Sequence, residues 1–309
     1  MINKENNFIS AVIYLQKDET NIDRFLNMLY SVLEANFKKY EIICVSNYFD
    51  ERTIKQLKQF KDIYEKVNIS FIRLDKNQGL EECMNAGIDL AIGDFVFEFD
   101  SCYIDYDPHI ILDVYKKLLE GYDVVSATPP QTTSKISSRV FYGIYNYFSN
   151  TKKITTERFR IISRRALNRV SGYNKNIPYR KAVYASVGLS TFHLNYTLTD
   201  RASGIVQNDI QKKNVALDSL ILFTNIAYKV SFAFSIIMAF FMFGTGVYTV
   251  AVYFSAQKPV EGWAPIMGLI SAGFSAMFFI LTILIKYMDL ILRFVFKKQK
   301  YTVVNIEKL

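Results

Sequence analysis

The sequence predicts an α/β fold with a mainly parallel sheet, followed by interfacial helices and two C-terminal membrane-spanning helices. Three observations predict it. Strand-like and helix-like segments alternate up to Thr128, two long uncharged stretches occupy the end of the chain, and lysines and arginines flank both of them.

The alternation begins with FISAVIYL (Phe8 to Leu15), an apolar run with β-branched residues that reads as a strand. NIDRFLNMLYSVLEAN follows as a helix, because its apolar residues recur at three and four spacing, and YEIICVS (Tyr40 to Ser46) is a second strand. ERTIKQLKQFKDIYEK reads as a helix, VNISFIRL (Val67 to Leu74) as a strand, GLEECMNAGIDLAI as a helix and DFVFEFD (Asp94 to Asp100) as a strand. PHIILDVYKKLLEG and YDVVSAT add one more helix and strand. Regular alternation implies crossover connections and parallel strands. Ligands of such sheets bind beyond the carboxyl ends of the strands, where Ser46, Asp75 and Asp100 fall. After Thr128 the pattern weakens. PPQTTSKISS is a polar loop, RVFYGIYNYFSN an aromatic-rich segment, and FRIISRRALNRV a strand running into a basic helix.

From Val230 to Gln257, and again from Gly262 to Ile285, there is no charged residue. Each stretch exceeds the roughly 20 residues that cross a bilayer as a helix. Lys212, Lys213 and Lys229 precede the first, and Arg293, Lys297, Lys298 and Lys300 follow the second, which puts both flanks in the cytoplasm. The expected organisation is a cytoplasmic domain over 1–210, an amphipathic interfacial helix over 211–229, spans at 230–257 and 262–295, the latter with a cytoplasmic extension, and a basic tail at 296–309. The opening MINKENNFISAV lacks the apolar core and small-residue cleavage site of a signal peptide. Cys44, Cys83 and Cys102 are widely spaced and face a reducing compartment, so no disulfide is expected. The net charge of +8 is concentrated in Lys152, Lys153, Arg158, Arg160, Arg164, Arg165, Arg169, Lys175, Arg180 and Lys181, ahead of the anchor, where anionic headgroups account for it without nucleic acid.

The order of elements, YEIICVSN at the second strand, LDKNQGLEECMNAGIDLAIGDFVFEFDS in the middle, FRIISRRAL later and the closing KKQKYTVV together resemble the membrane-anchored glycosyltransferases of family 2 that load a sugar onto a polyprenyl phosphate. Dolichol-phosphate mannose synthases and undecaprenyl-phosphate glucosyltransferases are of this kind. The resemblance implies a Rossmann-like GT-A domain, a nucleotide-sugar donor, a polyprenyl phosphate acceptor and a divalent metal, Mg²⁺ or Mn²⁺, on the diphosphate.

Carried over residue by residue, the resemblance meets several departures. The family's Asp-x-Asp becomes Asp100 and Cys102 here, and a thiol suits Mg²⁺ or Mn²⁺ poorly. Asp100 is the expected metal ligand, with Asp105 or Asp107 as substitutes from the same loop; the alternative is that Asp100 only caps a turn. Asp18, Glu19, Ser46, Asn47, Asp75 and Asn77 are the expected nucleotide contacts, although Ser46, Asn47 and Tyr48 stand where the family has an acidic pair and a glycine. Arg158 replaces the acceptor-side aspartate, with Glu157 beside it. Asp100, Arg158, Arg160 and Arg201 are the candidate catalytic groups, and Arg160, Arg180 and Arg201 the candidate grip on a lipid phosphate, against a solvated basic face as the alternative.

Two functions follow. The first is a membrane-anchored transferase, multi-pass in the cell membrane with its N-terminal domain and C-terminus cytoplasmic, and with a remodelled donor and metal site. The second is a pseudo-glycosyltransferase without metal or turnover, which binds lipid phosphate or supports an active partner subunit. Either is expected as a homo- or hetero-oligomer, with RVFYGIYNYF and the small residues Gly244 and Gly246 as surfaces for close helix approach.

Overall fold

The computed structural model describes residues 4–17, 19–48, 50–76, 78–130, 136–148, 153–171, 179–199 and 301–309, with scattered positions between 229 and 291. The chain divides into two compact units, Met1–Ser219 with Gln299–Leu309, and Leu220–Lys298. The first is built on an eight-stranded sheet.

In chain order its elements are β1 (Glu5–Tyr14), α1 (Ile22–Asn36), β2 (Phe37–Ser46), α2 (Glu51–Ile63), β3 (Asn68–Leu74), α3 (Leu80–Leu90), β4 (Phe95–Phe99), α4 (His109–Leu119), β5 (Val124–Thr128), α5 (Ile136–Phe148), β6 (Phe159–Ser163), α6 (Arg164–Ser171), α7 (Arg180–Ser186), β7 (Thr191–Asn195) and β8 (Val303–Lys308). The strand order is β7-β5-β6-β4-β1-β2-β3-β8. Strands β4, β1, β2 and β3 are mutually parallel, β6 runs antiparallel between β4 and β5, and β8 is antiparallel to β3. The sheet is mixed and mainly parallel, as the alternation predicts.

Helices cover the central strands, which is why these read as continuous apolar runs rather than alternating ones. Ile9, Ala11, Val12 and Ile13 of β1 are all fully buried. Helix α1 carries Phe25, Leu26, Leu29 and Leu33 into the core, and Phe25 meets Phe99 of β4 edge to face at 5.2 Å. Helix α3 approaches β1 and β2 through Gly87. A methyl group there would stand 2.4 Å from a Val12 methyl and 2.9 Å from one of Val45. Gly87→Ala is therefore expected to cost about 1–3 kcal/mol by overpacking, read as a lowered denaturation midpoint; unchanged stability would contradict this packing.

The elements expected from the pattern match in order, with ends moved by a few residues. Four elements escaped it, among them α5, where the pattern reads as a polar loop and an aromatic-rich segment. Helix α7 and strand β7 lie where no periodicity stands out, and the last residues, expected as a basic tail, form β8 on the β3 edge. Among the described residues no helix is long and apolar enough to cross a membrane. The expected spans and interfacial helix fall almost wholly outside those residues. The three cysteines are free and buried, and burial pushes the Cys44 thiol up to about 12.

Candidate functional site

The carboxyl edge of the parallel strands gathers Leu15, Ser46, Asp75 and Asp100. Ser46 Oγ donates to the Leu15 carbonyl at 2.9 Å and accepts from the Tyr48 amide. Asn47, almost fully buried, accepts from the Tyr14 hydroxyl at 2.9 Å and donates to the Gln78 carbonyl at 2.6 Å. These two predicted nucleotide contacts therefore brace the strand ends and the loop after β3, with their side-chain groups engaged. Asp75 is exposed at the start of that loop. Glu19 is half-buried and accepts from the Asn21 amide at 3.4 Å, just ahead of α1. Asp18, Asn77 and Arg201 lie outside the described residues.

Asp100, just after β4, Arg160 of β6 and Arg180 of α7 are brought together. Arg180 donates through Nη2 to Asp100 at 2.7 Å, through Nη1 to Glu98 at 2.6 Å and through Nε to Glu81 at 2.8 Å. Arg160 donates to the other Asp100 oxygen at 3.2 Å and stands 3.5 Å from Glu98 and 3.1 Å from Glu157 as an ion pair without hydrogen-bond alignment. Tyr184 donates to Glu98 at 2.6 Å, and Lys181 lies 3.7 Å from Glu157. Burial pushes the Asp100 carboxyl up, but the guanidiniums of Arg180 and Arg160 outweigh it and hold the group below the usual carboxylate range.

Both arginine side chains are only 2–3% exposed, and four carboxylates face the three cations Arg160, Arg180 and Lys181. Arg160 and Arg180, expected at a lipid phosphate, are engaged here by carboxylates. Their donors point inward, and the cluster has no surplus positive charge to offer an anion. Arg164 likewise turns in, donating to the carbonyls of Ala91 and Gly93.

Asp105 and Arg158 form a second pair. Arg158 donates to both Asp105 oxygens, one at 3.0 Å, while Tyr196 donates to the same carboxylate at 2.7 Å. The arginine also stacks over the Tyr103 ring at 4.5 Å. Asp105, expected as a substitute metal ligand, is a buried acceptor engaged by Arg158 and Tyr196. Arg158, at the position of the family's acceptor-side acid, is its counter-ion. Asp107 is exposed and accepts from the His109 amide at 2.9 Å, opening α4.

Cys102 lies fully buried among the core hydrophobics, and burial pushes its thiol well above the ordinary range. A divalent cation on a diphosphate would need hard oxygen ligands. Asp100 is already shared between two guanidiniums, and the described residues hold no group of three ligating side chains. They do not fit a metal.

Glu81, Glu98, Tyr184 and Tyr196 are not among the residues expected from the sequence, and Glu157 is so only as the acid beside Arg158. Glu98 had a visible signal, as the one acid inside an apolar strand, FVFEF. Its cross-strand row continues through Arg160 and Ser126 to His193, where Ser126 Oγ meets His193 Nδ1 at 2.6 Å. No local pattern marks Glu81, Tyr184 or Tyr196.

Residues 15–184 match the model for glycosyl transferase family 2. An uncharacterized glycosyltransferase of Synechocystis sp. is 29% identical over 230 residues, spanning 72% of this chain and 71% of that one. A bactoprenol glucosyl transferase of Shigella phage SfX is 26% identical over 208 residues, 64% of this chain and 66% of that one. A mannosyltransferase of Pyrobaculum calidifontis, solved in complex with GDP-Man and Mn²⁺, aligns with a TM-score of 0.53 at 10% identity, covering 96% of this chain and 89% of that one. At that identity the likeness is one of fold, the Rossmann-like GT-A arrangement.

Proposed function

We propose that this chain, which belongs to glycosyl transferase family 2, transfers a sugar from a nucleotide-sugar to a polyprenyl phosphate while anchored in the cell membrane. The observation that carries the reading is the convergence of Asn47, Asp75 and Asp100 at the carboxyl edge of four parallel strands, the place where such sheets bind nucleotides. The bactoprenol relative and the uncharged stretches at 230–257 and 262–285 support the acceptor and the anchor. In the reaction an acceptor phosphate oxygen attacks the anomeric carbon. The bond from that carbon to the diphosphate breaks, and its electron pair leaves with the nucleoside diphosphate. The exposed Asp75 and the loop held by Asn47 bind and orient the donor. Asp100 fixes the arginine pair beneath it. A metal, when bound in such enzymes, neutralises the diphosphate. The charge pattern puts the N-terminal domain and the C-terminus in the cytoplasm, and close helix approach at Gly244 and Gly246 suits an oligomer.

A specific observation favours a second reading, the pseudo-glycosyltransferase. Asp100 and Asp105, the acids nearest the expected metal site, are both paired with arginine. Titration calorimetry of the full chain with UDP-glucose and GDP-mannose, in Mn²⁺ and in EDTA, joined to a transfer assay on undecaprenyl phosphate, separates the two. Micromolar donor binding in EDTA and lipid product are expected. Absence of both binding and product would leave the pseudoenzyme.

A further inference from the structure

The last nine residues are not a loose tail. Strand β8 pairs antiparallel with β3 from Ser70↔Lys308 to Leu74↔Val303, and the Leu309 amide donates to the Ile69 carbonyl at 3.0 Å. The pairing runs to the end of β3 and continues onto the loop beyond it. The Thr302 carbonyl accepts from the Asp75 amide at 3.4 Å and from Gln78 Nε2 at 3.3 Å, and the Tyr301 hydroxyl donates to Asp89 of α3 at 2.9 Å. On its other side the same loop is held by Asn47, whose amide donates to the Gln78 carbonyl. The loop from Asp75 to Gly79 therefore sits between a bracket from inside the sheet and a bracket from the C-terminus.

The outer bracket rests on few apolar contacts. Val304 and Ile306 are 51% and 52% exposed, so main-chain pairing with the β3 edge does most of the holding. Such a strand can leave and return without opening the core, and an edge strand is the element best placed to do so.

We propose that the C-terminal strand is a positioning element for the donor loop: its pairing with β3, through Thr302, holds Asp75 to Gly79 in the nucleotide-competent arrangement. This rests on the reading of that loop as a nucleotide contact. The coupling itself can be tested without a nucleotide.

Hydrogen exchange is measured at residues 74–79 in the full chain, in a chain ending at Gln299 and in full-length Glu307→Pro, which lacks the amide that pairs with Phe71. At least tenfold faster exchange at the loop in both variants is expected, with protection restored to the shortened chain by a synthetic peptide of residues 300–309. UDP and GDP binding should weaken at least tenfold in parallel and recover with the peptide. Loop exchange within twofold of the full chain in either variant overturns the proposal, as does a full chain whose β8 amides exchange without protection. If the loop loses protection in the variants but the full chain binds neither nucleotide, the coupling stands and the donor-site reading falls.

Discussion

Arg180→Ala is expected to destabilise the domain by about 3–5 kcal/mol, the cost of leaving a buried charge without its partner. Arg180 is the centre of the carboxylate cluster, and its loss strands Glu81, Glu98 and one oxygen of Asp100 at once. Arg180→Lys should recover little, because one ammonium cannot replace a fork that meets three carboxylates. The effect depends on pH with a definite sign. Asp100 is held below its usual range when folded, so its pairing contributes stability above the unfolded value near 3.9 and loses it as pH falls through the folded value. The gap between parent and Arg180→Ala in chemical denaturation should therefore narrow below about pH 4. A gap of under 1 kcal/mol at neutral pH would show that the cluster is not buried as described.

Cys102→Asp is the second large effect, and here structure reverses what the motif suggests. On paper it restores the family's acidic pair. In the fold it places a carboxylate among the core hydrophobics, where no cation faces it, at a cost of about 3–5 kcal/mol. Cys102→Ser, which buries only a hydroxyl, should cost about 1–3 kcal/mol. Neither variant is expected to gain Mn²⁺ binding by calorimetry. A folded Cys102→Asp protein that binds Mn²⁺ would mean that residue 102 can face the strand edge, and that the metal site is one substitution away.

How far the site was legible can be seen in single residues. Asp100 was found because it ends an apolar strand in a chain of alternating elements, a local signal. Glu98, two residues earlier, was equally visible as a charge within FVFEF. Arg180 reads from sequence as a candidate grip on a lipid phosphate, because nothing near it in the chain names its carboxylate partners. Glu81 is 99 residues away and Glu98 is 82. The Asp105 to Arg158 pair spans 53 residues and was read as two separate roles, a ligand and a lost acid.

What the sequence determined by itself was the order of strands and helices, and with it the edge where a ligand would meet the parallel strands. Those follow from hydrophobic periodicity, which acts over a few residues and survives in the linear chain. Only the tertiary structure decided which charged groups remain available at that edge. A carboxylate's chemistry depends on whether a guanidinium from another element stands 3 Å away, and that distance is set by packing between distant parts of the chain. The same holds for the C-terminus, whose short strand, with Val304 and Ile306 half-exposed, pairs with the β3 edge through its main chain.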